Sequence, residues 1–422
     1  MPSDSAFPFD IITLIIDIVG EKNDRDLLWK LSLVTHSFNQ ICIKYLFASI
    51  ELYDEQPNSK VGFVKLLERI PEAANHIRKL TYFCEKSSSQ SSRDFAYLLR
   101  VSSIQNFSNL LRTLSRLNSL KVSTDIEVYT NGLNWNKIDS SLTSAFLYLM
   151  HLPSINHIDL SLIQDFPLLN FTTSPILHRL DLSYMTRSDL PNSPEELYSS
   201  EIIQSTTTTT IREFYSYFST LLTTKLLYAI RHDGQPAFDF TNLRVLSTCL
   251  VDPWNVRYLL QIANSLEELH ISYGPEQSIV MIGDTFHNSP SALKVLGFTV
   301  TSGIYGIYLH QRLVGLCEVL EDMITAGRSN VLESLSFDLH VDEQEVEDTI
   351  GFQVQRIENV LVKPAWFALR QVSFKITFIQ YETGPSMRLN QALETLPEKY
   401  LDRLSKLESV DFNYSFILSE YD

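Results

Sequence analysis

The chain has 422 residues, 44% hydrophobic and 20% charged, a composition that excludes a disordered polymer and suits packed domains of ordinary kind. Its 50 acidic residues against 34 Lys and Arg leave a formal net charge of −16. Nucleic-acid grooves and anionic membrane surfaces are bound by clustered cations, so neither is expected as a partner. Glycine is scarce, 13 in all, which disfavours Gly-rich phosphate-cradling loops.

Taken in chain order, the first element is a helix from Pro8 to Val19. Pro8 suits a first helical turn, where its missing N–H costs nothing. Asp10 sits favourably at the positive end of the helix dipole. Gly20 reads as a C-terminal stop. The helix carries Ile11, Ile12, Leu14, Ile15, Ile16, Ile18 and Val19. That apolar surface is too wide for a helix packed on one side only. It is also too short to span a bilayer, and no basic region precedes it, so neither a transmembrane span nor a secretory signal is expected. Asn23 or Asp24 can cap a second helix carrying Leu27, Leu28, Leu31 and Val34. A third segment holds Phe38, Ile41, Leu46 and Phe47. Three short helices cannot bury that much apolar surface among themselves. Either they dock on the rest of the chain, or they offer a face to another protein. Residues 53–76 then contain a connecting helix with Phe63, Leu66, Leu67 and Ile70 on one face.

From residue 77 one short pattern returns: apolar, two residues, apolar, one residue, apolar. It reads Ile77-Arg-Lys-Leu80-Thr-Tyr82, then Leu117-Asn-Ser-Leu120-Lys-Val122, then Ile155-Asn-His-Ile158-Asp-Leu160. With the second apolar position as register mark, the marks fall at 80, 120, 158, 180, 214, 246, 269, 296, 335, 372 and 410. The copies at 214 and 246 are the weakest. The last apolar pair of each copy alternates with polar residues, the period of a half-buried strand. Helix-like stretches lie between the marks, Tyr258, Leu259 and Ile262 among them. One strand and one helix per unit, many times over, predicts a solenoid with a parallel sheet. A non-repetitive α/β domain with similar strands is the alternative. Register is hardest to read from 186 to 236, where Pro191, Pro194 and the run Thr206–Thr210 fall. The run from Ser87 to Ser92 reads as a loop.

These copies resemble the leucine-rich-repeat family over about residues 77–415, with about ten or eleven irregular repeats in 77–422. The family's usual Asn after the third apolar residue is replaced here by Ile163, Met185 and others, so irregular coils are expected. The amino-terminal residues, taken as 1–52, resemble an F-box. The likeness lies in Phe7-Pro8-Phe9-Asp10-Ile11-Ile12, Ile15-Ile16 and Leu31-Ser32-Leu33-Val34-Thr35-His36-Ser37-Phe38. Departures are Phe7 for Leu, Asp10 for Glu, Thr35 and His36 for a Cys–Lys pair, and Phe38 for Trp. The segment Tyr45-Leu46-Phe47 through Leu52 looks like the degenerate F-boxes of basidiomycete fungi that run into such repeats.

The resemblance implies a role. F-box modules bind the Skp-type linker of cullin–RING ubiquitin ligases, and the repeats hold a protein substrate. Carried over, Pro8, Ile11, Ile15, Ile16, Leu31 and Val34 would line the linker interface, with Phe7 a peripheral anchor. If the sheet is curved, residues flanking the apolar strand positions face its concave side. These are Lys79, Lys121, His157, Asp159, Arg179, Asp181, Glu268, His270, Ser336 and Asp411. They mix both signs, which suits a protein or peptide better than an apolar small-molecule pocket.

No catalytic constellation stands out: GxSxG, HExxH, Walker-type and GxGxxG motifs are all absent. Cys42, Cys84, Cys249 and Cys317 are far apart, with no CxxC, so a cysteine-based metal site is not expected. Four reduced thiols fit a cytoplasmic or nuclear protein. The acidic run from Asp342 to Asp348 lacks the spacing of a calcium loop. The expectation is therefore an α/β, non-catalytic adaptor without cofactor: an F-box helical module, then an irregular leucine-rich-repeat solenoid with a curved parallel sheet. The alternative is a repeat scaffold whose amino-terminal helices only cap the solenoid.

Overall fold

The computed structural model describes residues 9–22, 24–54, 57–84, 105–124, 133–167, 176–186, 202–203, 207–249, 253–273, 292–301, 309–327, 331–342, 347–380 and 387–420. Phe7, Pro8, the Ser87–Ser92 run and residues 343–346 of the acidic run lie outside them. The chain divides into two units, 1–209 with 228–237, and 210–227 with 238–422.

Unit 1 begins with α1 (Phe9–Glu21), α2 (Arg25–Ser32) and α3 (His36–Leu46). The Asp24 carboxylate caps α2 by accepting from the Leu27 N–H at 3.0 Å. Thr35 caps α3 by accepting from the Phe38 N–H at 3.2 Å. Thr35 thereby satisfies an orphan donor of the first turn. After the helices come β1 (Ser49–Tyr53), α4 (Pro57–Arg69), β2 (Lys79–Cys84), β3 (Ser119–Thr124), α5 (Ser140–Met150), β4 (His157–Ser161) and β5 (Arg179–Ser183). The five strands are parallel and neighbours in that order.

Unit 2 alternates β6 (Glu213–Tyr217), β7 (Val245–Cys249), α6 (Pro253–Ile262), β8 (Glu268–Tyr273), β9 (Val295–Thr301), α7 (Leu309–Thr325), β10 (Ser334–Asp342), α8 (Glu347–Leu361), β11 (Gln371–Gln380), α9 (Met387–Tyr400), α10 (Asp402–Ser405) and β12 (Asp411–Glu420). These seven strands of the main sheet are also parallel and sequential. Helices returning the chain between parallel neighbours make each unit α/β.

Within each unit the predicted marks lie in register. Leu80 is opposite Leu120, Leu120 opposite Ile158, and Ile158 opposite Leu180. Leu246, Leu269, Leu296, Leu335 and Val372 follow suit in unit 2, and the weak copy at Phe214 aligns with Leu246. The final mark needs correcting. Val372 pairs with Phe412, not Val410, so the last copy sits two residues later than its sequence suggests. Ile50 pairs with Leu80, so residues 49–53 add a sheet strand at the end of the segment taken as the helical module.

A backbone device repeats beside the strands. The carbonyl of Asn118 accepts the N–H groups of both Asn156 (3.0 Å) and His157 (3.1 Å). Arg78, Asn156, Arg244, Glu267, Lys294 and Glu333 do the same for the pair of residues at the start of the next strand. Each junction thereby uses both lone pairs of one carbonyl, which leaves no orphan donor where the chain enters the sheet. On the helix-facing side, unit 2 stacks Phe298, Phe337 and Phe374 in adjacent strands, centroids 6.0 and 4.5 Å apart. All three are fully buried.

Candidate partner-binding site

The three amino-terminal helices close a small core of Ile16, Leu28, Ile41 and Cys42, with Ile12, Val19, Leu31, Phe38, Tyr45 and Leu46 packed around it. Lys44 Nζ and the Tyr45 hydroxyl both donate to Asp17 Oδ1, at 2.9 and 2.7 Å, tying α3 to α1. The Lys44 and Tyr45 hydrogen bonds hold the Asp17 carboxyl below the usual aspartate range. Arg25 Nη2 donates to the carbonyls of Leu46 and Ser49, which fastens α2 to the start of the sheet.

This core consumes only part of the apolar surface. Ile11, Leu14, Ile15 and Ile18 of α1 remain exposed, Leu14 at 59% and Ile15 at 45%. Spacings of three and four place them on one helical face. The turn between α2 and α3 adds Leu33 at 70% and Val34 at 61%. Trp29 and Leu27 are exposed on α2. Single exposed apolar side chains are ordinary, and a run of this extent on one small module makes this the candidate docking face. Of the residues predicted for that face, Ile11, Ile15 and Val34 are exposed and Leu31 is half-buried. Ile16 is fully buried, so it supports the face from beneath rather than lining it. Leu14, Ile18 and Leu33 were not among the predicted residues; the signal for the first two was present, because every turn of α1 carries apolar residues on more than one side.

The solvent-facing sides of the strands hold the second set of predicted residues. In unit 1, Lys121 Nζ lies 2.7 Å from Asp159 Oδ2. His157 bridges two strands, with Nδ1 3.0 Å from Ser119 Oγ and Nε2 3.2 Å from Asp181 Oδ2. Arg179 also donates to Asp181, from Nη2 at 2.9 Å. Burial pushes the Asp181 carboxyl up, but hydrogen bonds from His157 and Arg179 outweigh it and hold the group below its usual range. Ser119, His157 and Asp181 stand in the order of a nucleophile relay. The N–H groups of Ser119, His157 and Arg179 are each taken by a neighbouring carbonyl, those of Arg78, Asn118 and Asn156. These contacts tie the solvent-facing sides of β3, β4 and β5 together. Lys79, on β2, is exposed and outside it.

In unit 2, His270 Nε2 lies 2.6 Å from Glu268 Oε1. The His270 ring covers Gly297, where an added Cβ would fall 2.3 Å from Nδ1 and 2.9 Å from Ser336 Oγ. His270, Gly297 and Ser336 are register partners on three adjacent strands. Asp411 is exposed on β12, away from this trio. The pattern missed Asp338, whose Oδ2 is 3.1 Å from Lys375 Nζ and whose Oδ1 is 3.5 Å from His340 Nε2. These residues lie beyond the three apolar positions of the motif, where β10 and β11 simply continue.

Among the described residues, no group of three or more His, Cys, Asp or Glu is placed to hold a metal ion, and no helix is long and apolar enough to cross a membrane. No protein-family model and no curated protein matches the chain in sequence.

Proposed function

We propose that the chain is the substrate-recognition adaptor of a Skp–cullin–F-box ubiquitin ligase, working in the cytoplasm or nucleus. Helices α1 to α3 hold the Skp-type linker, and the strand faces, as a leucine-rich-repeat solenoid, hold a protein target. The chain makes and breaks no bonds. Its contribution is to keep the target near the ubiquitin-loaded enzyme, so that transfer becomes effectively intramolecular. The observation that supports this reading is the uncovered apolar face of Ile11, Leu14, Ile15, Ile18, Leu33 and Val34 on a module whose own core is already closed. Helices that served only as a cap would have that face packed on the sheet.

The test is binding of the purified Skp-type linker to the full chain and to Ile15→Asp. A charge in a desolvated contact costs more than the contact gains. The variant is expected to lose binding with its helices intact. Equal binding by parent and variant rejects the assignment of this face.

A further inference from the structure

Among the described residues, the outermost strand of unit 2, β12, has no strand on its outer side. It pairs with β11 along ten residues, Asp411 to Glu420, and ends the strand order. The Asp411 N–H donates to the Arg370 carbonyl at 2.7 Å. In a parallel ladder, alternate residues turn their N–H and C=O the same way. Asp411, Asn413, Ser415 and Ile417 therefore face β11, and the backbone groups of Phe412, Tyr414, Phe416 and Leu418 point outward.

The side chains of those four residues are also only partly covered. Their register partners Val372, Phe374, Ile376 and Phe378 are buried to 2% exposure or less. Phe412, Tyr414, Phe416 and Leu418 are each half-buried, and Ile417 on the other face is exposed. Proteins usually blunt such an edge with Lys, Pro, a bulge or a short strand. This strand is long, pairs without a bulge, and has no Lys, Arg, Pro or Gly from Leu407 to Asp422. The strand's own charges are both negative and fall at its ends, Asp411 at the start and Glu420 at the finish.

We propose that β12 is a docking edge for an extended, basic-flanked segment of another protein, which adds a strand to the sheet. The outward backbone groups supply the affinity, and the half-covered aromatic row takes alternate apolar side chains of the partner. The acidic ends select the partner's charge. A second copy of this chain is a poor occupant, because either strand direction sets acidic ends against acidic ends, and like charges across a pair destabilise it. The inference stands apart from the linker-binding face, which lies on other elements.

The probe is a synthetic peptide matching β12 in length, alternating valine and threonine between terminal lysine pairs. Fluorescence anisotropy with the full chain is expected to show binding that weakens with salt. A glutamate-flanked version should bind severalfold more weakly. A lysine-flanked version with N-methyl groups on alternate residues should not bind, and it tests strand addition without altering the protein. Hydrogen exchange should slow at the amides of Phe412, Tyr414, Phe416 and Leu418 when the lysine peptide is present. No binding, equal binding of the two charge forms, binding of the N-methyl peptide, or protection elsewhere would overturn the proposal. Peptide-free dimers that protect the same amides would overturn it in favour of self-pairing.

Discussion

The ring of Tyr45 on α3 lies against Gly20 of α1, so closely that a Cβ at position 20 would fall 2.4 Å from two ring carbons. The helix continues to Glu21, and Gly20 does not take up the left-handed backbone of a helix stop. Its role is close approach. The same ring carries the hydroxyl that donates to Asp17.

Alanine normally favours a helix over glycine by about 1 kcal/mol. At position 20 the sign should reverse. Gly20→Ala must push Tyr45 aside and break its bond to Asp17, at a cost of about 1–3 kcal/mol. Hydrogen exchange of α1 and α3 amides should speed up. Unchanged or slower exchange would mean the ring can move without loss.

Ile15 and Ile16 are neighbours in sequence with opposite surroundings, 45% and 0% exposed. Ile16→Ala opens a cavity in the module's core and should destabilise the helices by about 2–5 kcal/mol. Ile15→Ala should leave their stability within about 0.5 kcal/mol, as surface changes do, while weakening linker binding. Helix protection by hydrogen exchange reads the first effect and titration with the linker reads the second. Equal stability of the two variants would contradict the burial pattern.

The Asp17–Lys44 pair gives the module a pH dependence. The folded state depresses the Asp17 carboxyl, through hydrogen bonds from Lys44 and Tyr45, and raises the Lys44 ammonium, through its bond to Asp17. Stability from a depressed acid is full above its unfolded value, about 3.9, and is lost as pH falls through the folded value. Stability from a raised base is full below its unfolded value, about 10.4, and is lost as pH rises through the folded one. The stability difference between parent and Asp17→Asn should be constant near neutrality and shrink below about pH 3.9. A difference that persists undiminished in acid would show that the ionised Asp17 carboxylate contributes nothing.

Glu358 of α8 is 3% exposed, and its Oε1 accepts the N–H groups of Arg403 (2.8 Å) and Leu404 (3.0 Å). It caps α10, whose own Leu401 offers no side-chain acceptor. Glu358→Ala should cost about 1–3 kcal/mol by stranding the buried Leu404 N–H and the part-buried Arg403 N–H, and Glu358→Gln should recover most of it. Thermal melting of the full chain reads both. An alanine variant as stable as the parent would refute the capping role.

The strand register was legible because the positions that matter are apolar, paired at i and i+2, and buried. Leu335 and Phe337 are an example. It slipped at the last copy because Val410-Asp-Phe412 and Phe412-Asn-Tyr414 fit the same alternation, and only the Asp411-to-Arg370 bond decides between them. Gly20 misled because a glycine near a helix end looks alike whether it stops the helix or admits a ring. Glu358 gave no signal at all. An acid inside a helix reads as a solvated face, and its partners lie more than forty residues on. On α1 the sequence showed too much apolar surface without saying which side would stay open. That depends on which residues α2 and α3 cover.

The most direct measurement is a pull-down of the purified Skp-type linker with the full chain and with a version lacking α1 to α3, residues 9–46. Binding by the full chain that disappears with the helices is the predicted result. A well-folded full chain that retains no linker would contradict the adaptor reading and leave the helices as a cap.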